Sequence, residues 1–146
     1  MNRWLSTGAV LAGLAVAAGA FAAHGLDGYF ATKYAGETRL VAGREVPRSE
    51  KTLHDFKTGA EYQMYHSLAL LAVGLLAERR PTRWLTVAGW TFLAGIVLFS
   101  GSLYLLTLTG VTKWGMVTPI GGVLFLIGWA ALAVGAVKSG STQAVF

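Results

Sequence analysis

Two of the chain's three histidines, His24 and His66, lie in stretches that carry no charged residue. Near them in the sequence, or in matching positions of other apolar stretches, stand Glu61, Tyr62, Gln63, Ser100 and Tyr104. An imidazole can carry a proton near neutral pH, donate and accept hydrogen bonds, or ligate a metal. Tyr62 and His66 are four residues apart, as are Ser100 and Tyr104, so each pair shares one face of a helix. Three uses follow for His66. It can bridge helices as a hydrogen-bonded lock, because a polar group left unsatisfied in hydrocarbon is costly. It can handle a proton or ligand, the default expectation for an ionisable residue inside a membrane. It can pair with His24 as axial ligands of a haem or metal. No His-x-x-x-His or Glu-x-x-His spacing supports that third use. Cys is absent, which removes thiolate metal sites, disulfides and Cys nucleophiles. The apolar stretches hold no Ser/His/Asp set and no paired carboxylates. The residues therefore predict no catalytic group, no metal and no cofactor.

The elements that must position these side chains are written in the charge pattern. All 12 cations and 7 anions fall outside four runs, residues 4–26, 62–77, 84–112 and 114–137. A soluble helix keeps one polar face, whereas ions are excluded from hydrocarbon. About 20 apolar helical residues cross a core of about 30 Å. The pattern predicts an all-α integral membrane protein, one domain over residues 1–146, with four transmembrane helices near 4–25, 50–78, 84–108 and 118–138. Ala20-Phe21-Ala22 after Met1-Asn2-Arg3 has the form of a signal-cleavage site. The length of the run and its continuation through His24-Gly25-Leu26 favour a retained helix. Gly8, Ala12, Ala15, Gly19 and Ala23 give small-xxx-small spacings suited to helix pairing. Trp4, Tyr29, Tyr34, Trp84, Tyr104 and Trp114 suit the aromatic belts of the interface.

Residues 27–49 form a hydrophilic loop. A short hairpin turning at Ala42-Gly43 is expected within it, closed by Pro47. Ser49 is the expected N-cap of the next helix, whose first turns (Leu53, Phe56, Ala60, Met64) form an amphipathic lead-in near the interface, with Gly59 a candidate bend. Pro81 ends this helix. Thr118-Pro119 reads as N-cap and N1 of the last helix, and residues 139–146 as a frayed tail. Gly121-Gly122 suits close helix packing. Net charge is +5, but the cations flank apolar runs and form no basic patch interleaved with aromatics, which argues against nucleic acid. Arg79, Arg80 and Arg83 abut two membrane ends, so the density of cations places both termini in the cytoplasm. At 1.5 Å per residue His66 stands about 18 Å from Glu78, in the outer half of the bilayer.

Four motifs recur in order: Gly19-Ala20-Phe21-Ala22-Ala23-His24-Gly25-Leu26, Tyr62-Gln63-Met64-Tyr65-His66-Ser67-Leu68-Ala69-Leu70-Leu71, Phe99-Ser100-Gly101-Ser102-Leu103-Tyr104 and Thr118-Pro119-Ile120-Gly121-Gly122. Together they resemble the domain of unknown function 423 family, which takes in UPF0382-type bacterial inner-membrane proteins and eukaryotic transmembrane protein 256. Ala22 stands where that pattern commonly has Gly, and the first loop is longer by about a hairpin. The resemblance implies four helices and a retained first helix, in the bacterial inner membrane, and it implies no catalytic residues.

The leading functional expectation is a non-enzymatic membrane protein whose outer-half polar cluster (His24, Glu61, Tyr62, Gln63, His66, Ser100, Tyr104) binds a lipid or small molecule or supports a membrane assembly. Its expected partners are the lipid bilayer and a second copy or a larger membrane complex. The alternatives are an oligomeric transporter or channel with His66 as a proton-sensitive gate, and a haem- or quinone-linked subunit.

Overall fold

The computed structural model describes residues 3–140. The first helical stretch runs unbroken from α1 (Arg3–Phe21) through one π-helical turn (Ala22–Leu26) into α2 (Asp27–Lys33). A two-stranded antiparallel hairpin follows, β1 (Thr38–Val41) and β2 (Arg44–Pro47), with Thr38 opposite Pro47 and Val41 opposite Arg44. Next is α3 (Arg48–Arg79), of 32 residues. The remaining rods are α4 (Arg83–Gly95), a second π turn (Ile96–Ser100) and α5 (Gly101–Thr109), then a 3₁₀ turn (Thr112–Met116) leading into α6 (Thr118–Gly140). The rest of the tail expected at 139–146 lies outside the described residues.

Three helical stretches are long and apolar enough to cross a membrane: Arg3–Lys33, Arg83–Thr109 and Thr112–Lys138. The chain is thus mostly helical with transmembrane segments. The α3 rod stands apart because its first half is charged.

The first helix ends later than the charge-free run predicts. Leu26, Phe30 and Tyr34 continue the buried face past Asp27 and pack with Phe56. Asp27 and Lys33 sit on the exposed side and do not interrupt it. The expected loop at 27–49 therefore begins as helix. The amphipathic lead-in is likewise no separate element: α3 is continuous through Gly59, and its first half packs against α2. Gly59 is a close-approach site, where an added Cβ would stand 3.1 Å from the Tyr104 ring. Ser49 is not the cap either. The helix already begins at Arg48, whose N–H donates to the Glu37 carbonyl at 2.9 Å and whose guanidinium pairs with the Glu37 carboxylate.

The hairpin turn has φ of +48° at Ala42 and +80° at Gly43. Two positive φ values match the strand twist of a type I′ turn, which favours Asn-Gly. Ala42 is strained there, because its Cβ crowds the following carbonyl. We expect Ala42→Asn to stabilise the hairpin by about 0.5–1 kcal/mol. Amide hydrogen exchange at Val41 and Arg44 checks this; unchanged or faster exchange in the variant would show the turn to be relaxed already.

Packing is set by glycines facing large side chains. Gly8 of α1 sits where a Cβ would lie 2.8 Å from the Ser67 carbonyl oxygen of α3. Gly89 receives the Trp4 ring, so Trp4 is core (5% exposed) rather than a belt residue. Of the small residues expected to pair helices, Gly8 and Ala15 are buried, whereas Gly19 meets no neighbour within 4 Å and Ala23 is exposed. The buried positions 8, 15 and 22 are seven residues apart, with 4 and 26 four residues beyond either end, and a strict four-residue spacing drifts away from this face. On the opposite side of the molecule, α6 lies along α4 and the second π turn. Gly128 meets Phe92, and Gly135 meets Leu85. Gly121 approaches the Phe99 backbone most tightly and serves the close packing expected of Gly121-Gly122.

Candidate functional site

Two faces of α3 carry the polar residues in different directions. One face presents Gln63. Its side-chain Nε2 donates to the Leu11 carbonyl of α1 at 2.9 Å, and its Oε1 accepts from the Tyr104 hydroxyl of α5 at 3.0 Å. Both ends of the amide are used in the only sense their chemistry permits, so Gln63 ties three helical rods together while itself buried. The Tyr104 ring reaches this position over Gly59 and rests 4.8 Å from Phe56.

The other face presents Tyr62 and His66 to α6. The His66 ring stacks on Phe125 at 3.4 Å with planes 5° apart. Trp129 Nε1 donates to His66 Nε2 at 3.3 Å, and His66 Nδ1 lies 2.7 Å from the Tyr62 carbonyl oxygen. An indole nitrogen only donates. His66 Nε2 is therefore the acceptor, the ring proton is on Nδ1, and this arrangement needs a neutral imidazole. The Tyr62 ring stacks on Phe99 at 4.6 Å and continues the aromatic series towards His66. Beside these rings runs an open groove of about 400 Å³, lined by Tyr62, Tyr65, His66, Gly122, Phe125, Leu126 and Trp129. Its walls are aromatic and aliphatic, and it carries no charged side chain.

Of the sequence-predicted residues, Tyr62, Gln63, His66 and Tyr104 are brought together on and around α3. His24 is exposed on the first π turn and Glu61 is exposed on α3; no hydrogen bond or ring contact joins either to the cluster among the described residues. Shared depth grouped them in the sequence, but depth does not fix rotation about a helix. Ser100 is fully buried in the second π turn, and its hydroxyl has no hydrogen-bond partner among the described residues. The neighbouring Ser102 bonds Thr118 at 2.8 Å and links α5 to α6, so the Thr118 hydroxyl bridges helices. Sequence reasoning missed Phe99, Phe125 and Trp129. Phe99 stood only as the first residue of the Phe99–Tyr104 motif, and the signal for Phe125 and Trp129 is that Gly122, Phe125, Leu126 and Trp129 fall on one helical face. Among the described residues no three His, Asp or Glu side chains gather as a metal site.

The family described as "Protein of unknown function (DUF423)" matches residues 18–122. The chain belongs to the DUF423 family. The match spans every candidate residue from His24 to Tyr104, as well as Gly121 and Gly122. The DUF423 chain is 42% identical over 139 residues to the UPF0382 membrane protein YwdK of Bacillus subtilis, covering 94% of this chain and 98% of that one. It is 42% identical over 141 residues to a UPF0382 membrane protein of Haemophilus influenzae, covering 96% and 98%. It is 46% identical over 82 residues to the UPF0382 inner membrane protein YgdD of Escherichia coli, covering 56% and 63%. No solved structure matches this DUF423 chain. Apolar helices and relatives named as membrane proteins together make it a membrane protein.

Proposed function

We propose that this protein is a non-enzymatic component of the bacterial inner membrane that binds a lipid-like apolar molecule in the groove between α3 and α6. In this reading residues 62–77 of α3 are a fourth span, and both termini are cytoplasmic. Those 16 charge-free residues extend about 24 Å, and α3 packs against α1, α4, α5 and α6. The observation that carries the reading is the groove itself. It runs between α3 and α6, and its lining is aromatic and aliphatic apart from the His66 ring and the Tyr62 and Tyr65 hydroxyls. Such a site selects an apolar body with at most one polar group to orient it.

Gly122 supplies the test. It lines the groove, and a Cβ there meets nothing closer than 4.0 Å. Gly122→Leu should fill the groove while leaving the fold intact. Native mass spectrometry of protein released from mild detergent is expected to show an apolar adduct on the wild type and its loss from Gly122→Leu. An adduct retained equally by both would sink the reading.

A second reading rests on the imidazole–indole bond. Protonated His66 cannot accept from Trp129, so a proton arriving there frees the indole, as an oligomeric transporter or channel gated by His66 would need. Proton-driven flux in proteoliposomes that survives in His66→Leu would remove that reading. A haem-ligand role is supported least, because both ring nitrogens of His66 are engaged and His24 stands apart.

A further inference from the structure

The end of the molecule opposite the hairpin holds a second arrangement, separate from the groove at His66. It collects Arg3 from the start of α1, Arg79 and Arg80 from the end of α3, Arg83 from the start of α4 and Lys138 from the end of α6, against Glu78 alone. The hairpin end has seven cations (Lys33, Arg39, Arg44, Arg48, Lys51, Lys57, Lys113) against six acids (Asp27, Glu37, Glu45, Glu50, Asp55, Glu61). The net charge of +5 therefore divides as four at one end and one at the other.

Within the basic end, two nitrogen donors are buried with no hydrogen-bond partner among the described residues: Arg80 Nη1 and Trp84 Nε1. Buried donors in folded proteins nearly always find an acceptor, so each of these two orphans calls for one. Neither nitrogen can accept a hydrogen bond, so the missing group is an acceptor. The Arg83 guanidinium and Lys138 ammonium flank the same Trp84 ring at 5.5 and 5.4 Å, so the acceptor meets a surplus of positive charge. The positive end of the α4 dipole adds to it. Directly alongside, Ala133, Val134 and Val137 wall an apolar groove of about 290 Å³ with Lys138 also lining it. A donor cluster joined to an apolar groove at the end of membrane-crossing helices matches an amphiphile with an anionic head.

We propose that Arg80 and Trp84, with Arg83 and Lys138 around them, bind the phosphate of an anionic phospholipid whose acyl chain lies along Ala133, Val134 and Val137. Guanidinium and indole N–H groups hold the phosphate oxygens by charge-assisted hydrogen bonds, and the groove supplies the apolar half of the recognition. A free phosphate would use the same donors but gain nothing from the groove. The proposal rests only on the chain's lying in a membrane and does not depend on the groove at His66.

The test uses the full-length protein in mild detergent with phosphatidylglycerol, phosphatidylethanolamine or inorganic phosphate, read by native mass spectrometry. The expected result is retention of phosphatidylglycerol over phosphatidylethanolamine, with Arg80→Gln weakening it by about tenfold, the loss of one charge-assisted hydrogen bond. Trp84→Phe keeps the ring, removes only the N–H, and should weaken it in the same direction. It decides the matter if Arg80→Gln does not fold. Val134→Trp, which fills the groove, should lower phosphatidylglycerol retention as well. Lys57→Gln, at the hairpin end, should leave it unchanged. Equal retention of both lipids, wild-type retention in Trp84→Phe, or inorganic phosphate displacing phosphatidylglycerol at equal concentration would each overturn the proposal.

Discussion

Gly121→Ala is expected to unfold well before the wild type on heating in detergent, while Gly122→Ala, one residue on, unfolds with it. The two glycines look alike in sequence and face different surroundings. A Cβ at 121 would stand 2.5 Å from the Phe99 backbone nitrogen and 2.8 Å from its Cα. Those atoms belong to the π turn Ile96–Ser100, so relief requires moving one helix off another rather than turning a side chain. Overpacking of this kind costs about 1–3 kcal/mol, and a backbone obstacle places Gly121→Ala near the upper end. At 122 the nearest atoms are Phe99 ring carbons at 4.0 Å, an ordinary contact, and the expected change is within about 0.5 kcal/mol. Circular dichroism melts of both variants check this. Coincident midpoints would mean that α6 does not press on the π turn as described.

The second large effect concerns Gln63. Gln63→Leu removes both bonds of the three-helix tie and leaves the half-buried Tyr104 hydroxyl unpaired, for an expected loss of about 1–3 kcal/mol. Tyr104→Phe removes only one of those bonds and should cost about 0.6 kcal/mol, a usual value within membranes. The double variant is expected to be no less stable than Gln63→Leu alone, because both changes report the same phenol–amide bond. Denaturation of the four proteins in one detergent closes the cycle. Additive losses would show that the two side chains do not interact.

Much of the architecture was legible because ions avoid hydrocarbon: the charge-free runs locate three apolar helical stretches and the apolar half of α3. What charge cannot mark is where a helix stops. Asp27 ends the first charge-free run without ending the helix, because Phe30 and Tyr34 keep the buried face going towards Phe56. The hairpin was legible at Ala42-Gly43 because Gly43 supplies one of the two positive φ values the turn needs, although Ala42 does not favour the other. For the candidate site, the pairing of Tyr62 with His66 was legible because four residues make one helical turn. Trp129 and Phe125 were not, because the rotation of α6 is set by where Gly121 and Gly128 let it approach the second π turn and α4. His24 was misplaced for the same reason: its height along the helix was readable and its azimuth was not.

The two π turns bear on how such a chain tolerates changes in length. A π turn is an α-helix holding one residue more than the turn requires. Loss of one residue from Ile96–Ser100 would return that stretch to ordinary α geometry. Leu85, Ala88 and Phe92 before it, and Leu103 and Thr107 after it, would keep their shared buried face. The same deletion inside 85–92 would swing everything beyond it by about 100° and carry Tyr104 away from Gln63. Ala22–Leu26 gives the first helix a similar allowance. Single-residue gains and losses among relatives are therefore expected to collect at these two turns, where chain length and side-chain register are uncoupled.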